Sequence, residues 1–494
     1  LKRLEGMWAF AWYNKVTGDL ILSRDKFGEK PLYLWQDSNG FYFGSEIKAL
    51  ASLAGYWPTI NKNHLLRYLI NGYKSLYKVS ETFYEGVNEL QSGHFLAIDS
   101  YSNFKIKNYW EKRQFIDTNL TSNDAIEKTR ECLINSVKLR LRSDVPLAFC
   151  MSGGIDSNSL IAIAKKHLGS DVHGFTVDNK DKRYEEKDLV DKSKKDLQIK
   201  HTYTNLNKKD FLKNLRRLIT AHDSPVYTIT YFVHWQLMEK ISEAGFKVSI
   251  SGTGADELFT GYYDHHNFYL AEIQKNKDLY SKSFEAWQKY INPIVRNPFL
   301  KNPNIFIEEP TFRDHIFLNN DVFSEYCYSK WHENFIEKDF GAPILRNRML
   351  NELFMEAVPV ILHEDDLNAM HFSIENRSPF LDTNLYELAY SIPTSHLIKQ
   401  GRTKSILREA MRGLVSDEIL NSRRKVGFNA PIEDLIDFED PNVKDIILDE
   451  SPIFELVCKE KIERLLNNSK FTNSASKFLF SFINAKIFLE LNRK

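Results

Sequence analysis

The chain has 494 residues, with 66 basic and 66 acidic side chains and a formal net charge of zero. This length predicts two or more domains, and a content of 43% hydrophobic and 27% charged residues excludes a chain that is disordered throughout. The charge balance argues against nucleic-acid binding, and no apolar run reaches the length of a membrane span. We therefore expect small-molecule partners, with no nucleic acid and no membrane.

The cysteines predict a reducing environment. Cys132, Cys150, Cys327 and Cys458 form no CxxC pair, which in a long chain indicates buried thiols rather than a disulfide frame or a zinc site. The expected location is the cytoplasm. Because the chain begins at Leu1 in a stretch typical of the middle of a domain, we also expect that a segment precedes it.

Residues 1–100 predict a β-rich region that contains one helix. Short aromatic or β-branched runs alternate with Gly, Asp and Asn, which is typical of strands joined by turns. The helix is predicted at HLLRYLINGY, and the polar stretch that begins SYSNFKIKNYW predicts a connector. The predicted strands are MWAFAWYN, GDLILSRD, KPLYLWQD, GFYFGSE and GHFLAIDS.

From residue 124 the hydrophobic period becomes helical. Asp124 with Glu127 resembles a capping pair, and four apolar residues share one face of the predicted helix: Ile126, Leu133, Val137 and Leu141. Helices then alternate with the apolar strands VPLAFCM, DVHGFTVD and FKVSI, which predicts a parallel sheet covered on both faces. Residues 270–494 are predicted to be mostly helical.

The stretch FCMSGGIDSNSL, residues 149–160, joins a predicted parallel strand to a helix. Gly153 and Gly154 allow a tight turn and a close approach to a ligand, while backbone amides and the helix dipole favour an anion. The loop lacks the GxxxxGK[ST] pattern, and Asp156 would repel phosphate unless a cation lay between them. The stretch therefore predicts a phosphate site with magnesium, against the alternative of a structural turn capped by Asp156.

A second loop, SGTGADELFTGY, follows the strand FKVSI. Ser251, Gly252 and Gly254 provide another backbone surface, and Asp256 provides another carboxylate. Because the carboxyl ends of parallel strands meet at one sheet edge, Asp156 and Asp256 are predicted to share one or two magnesium ions. Helix-starting acids are also common without any metal, which is the alternative for Asp256 and Glu257.

These two loops resemble those of the glutamine-dependent asparagine synthetase family, whose synthetase domain is a PP-loop ATP pyrophosphatase. Three later segments, HEDDLNAMHFSIENRSPFLD, KSILREAM and RRKVGFNAPI, resemble further signatures of the family. The segments GMWAFAWYN, LILSRDKFGEKPLYL and FGSEIKAL resemble the last part of its glutaminase domain. The resemblance covers nearly the whole chain.

The resemblance implies an α/β fold. A partial αββα layer of the N-terminal-nucleophile (Ntn) glutaminase type would occupy residues 1–105, and residues 106–123 would be a linker. Residues 124–494 would form a parallel-sheet, HUP-like PP-loop domain that binds the nucleotide and ends in a helical part. A homodimer is compatible with the resemblance.

The resemblance also assigns roles to residues. Asp156 and Asp256 would bind Mg²⁺, and Lys425 would neutralise charge on the α-phosphate and on the departing pyrophosphate. Met151, Val177, Ser251 and Gly252 would line the ATP. The β,γ-pyrophosphate of ATP would be held by Ser152, Gly153, Gly154, Asp156 and Ser157.

The implied reaction has two steps. A substrate carboxylate, foremost that of aspartate, attacks the α-phosphorus of ATP to give an acyl-adenylate and pyrophosphate. Ammonia, free or released from glutamine, then attacks the acyl carbon, and AMP leaves. The glutaminase of the family starts with a catalytic cysteine that this sequence does not contain, so we expect the 494-residue chain to use ammonia rather than glutamine.

Two positions depart from the family pattern. Thr253 stands in the second loop where the family typically has an acid near the acyl-transfer centre, and Ser224 stands where an acid is usual in a preceding loop. Threonine cannot act as a carboxylate base or pair with an amine. These changes leave open a second acceptor class, the uronic acids of surface polysaccharides, with Thr253 as a catalytic-site residue in either case.

Two further classes of function fit the sequence less well. A tRNA-modifying PP-loop ligase would need a basic RNA-binding surface and would leave SIENRSPFLD unexplained. A degenerate nucleotide-binding scaffold predicts loss of the acids and the lysine, yet Asp156, Asp256 and Lys425 are all present.

Overall fold

The computed structural model describes residues 1–101, 103–112, 115–178, 186–316, 320–329, 331–423, 432–467 and 471–492. Its strands are β1 (Ala9–Tyr13), β2 (Leu20–Arg24), β3 (Tyr33–Gln36), β4 (Phe41–Gly44), β5 (Val87–Glu89), β6 (His94–Ile98), β7 (Phe104–Asn108), β8 (Leu147–Cys150), β9 (His173–Asp178), β10 (Lys200–Asn205), β11 (Val248–Ile250) and β12 (Glu375–Arg377).

The α-helices that precede the long loops of the second half are α1 (Ile47–Ala54), α2 (Lys62–Asn71), α3 (Ser122–Arg140), α4 (Ile155–Ala162), α5 (Lys187–Leu197), α6 (Phe211–His222), α7 (Ile229–Glu243), α8 (Ala255–Phe259), α9 (Tyr263–Ile273) and α10 (Lys277–Tyr290). The later α-helices are α11 (Ile305–Glu308), α12 (Asn320–Ser324), α13 (Ile344–Asn351), α14 (Val358–His371), α15 (Thr383–Ser391), α16 (Ser405–Ala410), α17 (Asp417–Asn421), α18 (Pro441–Leu448), α19 (Lys459–Leu466) and α20 (Asn473–Leu491).

The N-terminal layer contains two antiparallel sheets, in the orders β1-β2-β6-β7 and β4-β3-β5. The five strands predicted from the sequence correspond to β1, β2, β3, β4 and β6. The prediction of a connector after residue 100 was wrong for residues 104–108, because β7 pairs with β6 along its whole length. All five residues of β7 are exposed, so FKIKN carries no buried apolar face that would indicate a strand.

The second part of the chain is built on a fully parallel sheet of order β10-β9-β8-β11-β12. Apolar runs predicted β8, β9 and β11, which lie in the centre of this sheet. The two edge strands were missed because KHTYTN and ENR are polar, and an edge strand does not need a continuous apolar sequence. The α/β fold class with a helical C-terminal part is confirmed.

The core lies on both faces of the parallel sheet. Phe149 of β8 belongs to the core cluster that contains residues of α3, α4 and α8, while the neighbouring Ala148 belongs to the cluster that contains residues of α6, α7 and α20. This alternation follows from the two-residue period of a strand. Among the described helices, none combines the length and apolar character that a membrane crossing requires.

Helix α3 begins earlier than predicted. Thr121 is its N-cap, with Oγ1 accepting a hydrogen bond of 3.2 Å from the backbone N–H of Asp124 and donating one of 2.7 Å to its carboxylate. Asp124 is therefore the N3 residue of the cap, and the pair of Asp124 with Glu127 is not the capping pair. The corrected pair has the spacing of a capping box, with an aspartate in the acidic position.

Helix α14 connects the two parts of the molecule. Lys30 of the N-terminal layer forms an ion pair of 2.7 Å with Asp366. The hydroxyl oxygen of Tyr33, in the same layer, lies 3.3 Å from Nδ1 of His363. Both partners belong to α14, whose intervening residues contact the parallel-sheet part. The N-terminal layer is thereby fixed against the helix that flanks the second glycine loop.

Candidate functional site

The two predicted loops lie side by side. Strands β8 and β11 are hydrogen-bonded neighbours, with Phe149 opposite Ile250, so the loops that follow them share one sheet edge. At Gly252 an added Cβ atom would lie 3.0 Å from the Cβ of Asp156. Glycine at this position lets the second loop pack directly on the start of α4.

The first loop is held by its own side chains. The backbone N–H of Ser152 donates to Ser157 Oγ at 3.1 Å, and the N–H of Gly154 donates to Ser152 Oγ at 3.2 Å. Gly153 directs its N–H toward a carboxylate oxygen of Glu186 at 3.3 Å. The loop therefore presents a backbone donor to an anionic group at the N-terminus of a helix, which is the chemistry of a phosphate cradle.

The glycines of this loop are needed for space rather than for an unusual backbone. Gly154 has φ −77°, which any residue adopts. A Cβ at Gly153 would lie 2.9 Å from the Cβ of Leu189 on α5. Only Gly254 of the second loop, at φ +94°, needs the conformational freedom of glycine.

Asp156 and Asp256 converge on one lysine. Lys404 Nζ lies 2.7 and 2.6 Å from the two carboxylate oxygens of Asp156 and 2.5 Å from Asp256 Oδ1. The lysine side chain is 4% exposed, and the two carboxylates are 23% and 20% exposed. Burial disfavours the ammonium, but the two carboxylates outweigh it and raise the pKa of Lys404.

Lys404 was missed as a site residue. It is the first residue of KSILREAM and the N-cap of α16, with a left-handed backbone at φ +56°. Nothing local distinguishes it from a surface lysine, because the acids that surround it come from α4 and α8. Only the assembled sheet edge reveals its position.

The two acids fit a divalent cation. Their oxygens already share one cationic atom, and carboxylate oxygens are the ligands that Mg²⁺ prefers. The neighbouring Glu257 is 1% exposed and accepts a 2.5 Å hydrogen bond from the hydroxyl of Tyr262. Burial, followed by the negative charge of Asp256, raises the pKa of Glu257. We therefore assign Glu257 a structural role next to the site.

Comparison with known proteins decides the family. A family model described as asparagine synthase matches residues 128–490, and one described as a glutamine amidotransferase domain matches residues 1–110. The chain belongs to the asparagine synthase family. Membership makes it a glutamine-dependent ligase that carries out ATP-dependent amidation. The use of free ammonia by the 494-residue chain itself stays a prediction.

Known proteins of two kinds, asparagine synthetases and an amidase, resemble the chain over most of its length. Asparagine synthetase [glutamine-hydrolyzing] 1 of Bacillus subtilis is 26% identical over 94% of this chain and 74% of that protein. Asparagine synthetase [glutamine-hydrolyzing] 3 of the same organism is 24% identical over 85% of this chain and 67% of that protein. Amidase chry2 of Gibberella zeae is 24% identical over 86% of this chain and 69% of that protein.

The remaining predicted ATP-lining residues of this asparagine synthase family chain lie along the same sheet edge. Met151 follows β8 and packs in the core cluster on one face of the sheet, whereas Val177, near the end of β9, belongs to the cluster on the other face. Ser251 donates its N–H to the carbonyl of Arg377 at 3.0 Å. Lys425 lies outside the described residues.

Thr253 faces helix α14. Its hydroxyl lies 3.1 Å from Ser251 Oγ and donates to Asp365 Oδ2 at 3.4 Å. The structure thus places Thr253 in the second loop beside a carboxylate that the sequence did not single out. Asp365 was hidden in the acidic run HEDDLNAM, where nothing in the sequence indicates which acid faces the loop.

Gly261→Ala should displace Asp256. A Cβ at Gly261 would lie 1.6 Å from Asp256 Oδ1, so the carboxylate must leave Lys404 or the backbone must shift. Overpacking of this kind costs about 1–3 kcal/mol. We expect the rate of ATP-dependent amidation to fall at least about tenfold, which corresponds to a loss of about 1.4 kcal/mol of transition-state stabilisation.

Gly40→Ala is the matched control for this substitution. A Cβ at Gly40 meets its nearest atom at 3.6 Å, an ordinary contact, and its backbone is not left-handed. An active Gly261→Ala variant with wild-type stability would show that the position of Asp256 is not required.

Proposed function

We propose that the chain amidates a carboxylate through an acyl-adenylate, releasing AMP and pyrophosphate, with aspartate as the acceptor and asparagine as the product. The observation that supports it is the convergence of Asp156 and Asp256 on Lys404 where β8 and β11 end. A reaction that expels a polyanion needs this combination of backbone donors, a buried cation and carboxylates that can hold a metal.

The loops position the triphosphate of ATP. The N–H of Gly153 and the hydroxyls of Ser152 and Ser157 bind the β,γ-phosphates at the start of α4. Asp156 and Asp256 would hold Mg²⁺, which supplies Lewis-acid stabilisation of phosphate charge when bound. Lys404 neutralises both acids and would contact the departing pyrophosphate.

The bond changes balance without a redox partner. An oxygen of the acceptor carboxylate bonds to the α-phosphorus, and the bond from that phosphorus to the bridging oxygen breaks, so pyrophosphate leaves with the electron pair. Ammonia nitrogen then bonds to the acyl carbon, the acyl carbon–oxygen bond breaks, AMP leaves and the nitrogen loses a proton. The role of Lys425 in stabilising the leaving group rests on the family resemblance.

Specific observations also support a second class of carboxylate substrate. Thr253 replaces the acid that is typical of the second loop, and relatives of this chain include proteins named amidases. An amidotransferase that acts on a uronic acid of a surface polysaccharide is therefore the second candidate. A cytoplasmic location and a homodimer remain predictions.

One screen tests the proposed function. The purified chain is incubated with ATP, Mg²⁺ and single carboxylic acids, including aspartate and glucuronate, and pyrophosphate release is measured with and without ammonia. We expect aspartate to give the highest release and asparagine to accumulate in step with it. Preference for glucuronate would favour the sugar-acid alternative. If none of the acids in a broad panel supports pyrophosphate release, the scaffold alternative is favoured.

A further inference from the structure

Three successive acids of α14 differ in their partners. Glu364 accepts the backbone N–H of Tyr227 at 3.0 Å, and Asp366 is paired with Lys30 at 2.7 Å. Asp365 lies between them and turns toward the second glycine loop, where its contacts in the described part of the chain are all 3.4 Å or longer. A buried carboxylate usually has short hydrogen bonds, so this one is incompletely compensated.

The surroundings of Asp365 are polar but weakly bonded to it. Its Oδ2 lies 3.4 Å from Thr253 Oγ1 and 3.5 Å from Asn376 Nδ2, and its Oδ1 lies 3.5 Å from His234 Nδ1. The same nitrogen of His234 lies 3.1 Å from Asn368 Nδ2, a donor, which favours a neutral ring that accepts there. Such a ring cannot donate a proton to Asp365 from Nδ1.

The carboxylate of Asp365 is buried but lies beside the second glycine loop. The side chains of Asp365 and His234 are 9% and 12% exposed, and Thr253, which Asp365 contacts, belongs to the same loop as Asp256. Burial, partly offset by the hydrogen bond from Thr253, raises the pKa of Asp365. An acid with a raised pKa beside a candidate ligand-binding loop is suited to exchange protons with a ligand.

We propose that Asp365 supplies the carboxylate of the acyl-transfer centre in this chain and that Thr253 positions it. The inference rests on the proposed function: the acid that the family carries in the second loop has moved to α14, and the loop keeps a hydroxyl that donates to it. The carboxylate of Asp365 accepts hydrogen bonds from the N–H groups of the incoming ammonia. When nitrogen bonds to the acyl carbon, its excess proton passes to Asp365 while AMP leaves, and the carboxylic acid then returns the proton to water.

The proposal separates the two half-reactions. Adenylation precedes entry of ammonia, so Asp365→Asn should leave acceptor-dependent exchange of labelled pyrophosphate into ATP within about threefold of wild type. Ammonia-dependent amide formation should fall about 100-fold, the scale of a lost proton acceptor. The acceptor used is the acid with the highest pyrophosphate release in the panel that includes aspartate and glucuronate.

A relocated carboxylate offers a rescue test. In the double variant Thr253→Glu/Asp365→Asn the acid returns to the second loop, and at least a tenfold recovery of amide formation over Asp365→Asn is expected. Asp366→Asn is the matched control on the same helix, since it loses the Lys30 ion pair but should keep both half-reactions. Thr253→Val, which removes only the hydroxyl, should reduce amide formation about tenfold and spare exchange.

The outcomes distinguish the two proposals. Normal amide formation by Asp365→Asn overturns the role of Asp365, and equal loss of both half-reactions in Asp365→Asn and Thr253→Val shows a structural role and overturns it too. Absence of exchange in the wild type overturns the proposed function and this inference with it. If Asp365→Asn does not fold, the half-reactions of Thr253→Val decide, because that substitution is nearly isosteric.

Discussion

Lys404→Met should abolish pyrophosphate release, reducing it at least about 10³-fold, and should also lower the midpoint of thermal unfolding. Lys404 is the cation that Asp156 and Asp256 share, and methionine keeps the length of the side chain without its charge. Removing one partner of a buried ion pair leaves the other charges uncompensated, which costs about 3 kcal/mol. Mg²⁺ should therefore raise the unfolding midpoint of the variant more than that of the wild type.

The control for this prediction is Lys399→Met, at an exposed lysine whose Nζ contacts only Ser122 Oγ at 2.8 Å among the described residues. This variant should behave as wild type in the pyrophosphate assay and in thermal unfolding. Wild-type release by Lys404→Met would remove the lysine from the proposed mechanism. An unchanged response of its unfolding midpoint to Mg²⁺ would argue that the two acids do not hold the metal.

Asp256→Asn should eliminate turnover with little change in folding. Asparagine is isosteric, and Lys404 keeps Asp156 as a partner at 2.6 Å, so no unpaired buried cation is created. The loss of one of the two carboxylates that we propose to hold the metal should lower the rate at least about 10²-fold, with the largest deficit at limiting Mg²⁺. The measurement is the initial rate of pyrophosphate release across a Mg²⁺ titration, with circular dichroism as the test of folding.

Asp417→Asn is a suitable comparison, since Asp417 also lies in the first turn of a helix but is exposed and paired with Arg412 at the surface. It should show the wild-type Mg²⁺ dependence. A near-normal rate of Asp256→Asn at limiting Mg²⁺ would contradict the assignment of Asp256.

The sequence predicted the centre of the fold better than its edges. Strands β8 and β11 are apolar because both faces of the sheet are covered, and this burial is visible as an apolar run. The edge strands β10 and β12 do not need an apolar sequence, so they resemble polar loops. β7 was not predicted because its side chains are exposed to solvent and form no apolar pattern.

The candidate site divides in the same way. Asp156 and Asp256 could be paired from the sequence because each follows a strand by a few residues, and strand ends of a parallel sheet meet. Lys404 and Asp365 reach the same place from segments far along the chain, on turns and helices with no local signature. Their positions depend on tertiary packing of α14 and α16 against the sheet edge, which periodicity cannot supply.

The backbone at Lys404 has a consequence for engineering. Glycine in place of a non-glycine residue of left-handed conformation relieves a penalty of about 1–2 kcal/mol and can therefore raise stability. Gln198, Gln400 and Lys404 are three of the seven described non-glycine residues that meet this criterion. The two glutamines are suitable targets, but glycine at residue 404 would remove the shared cation from the two acids. An automated stabilisation protocol should therefore exclude residue 404, since the strain there accompanies a side chain that the proposed reaction needs.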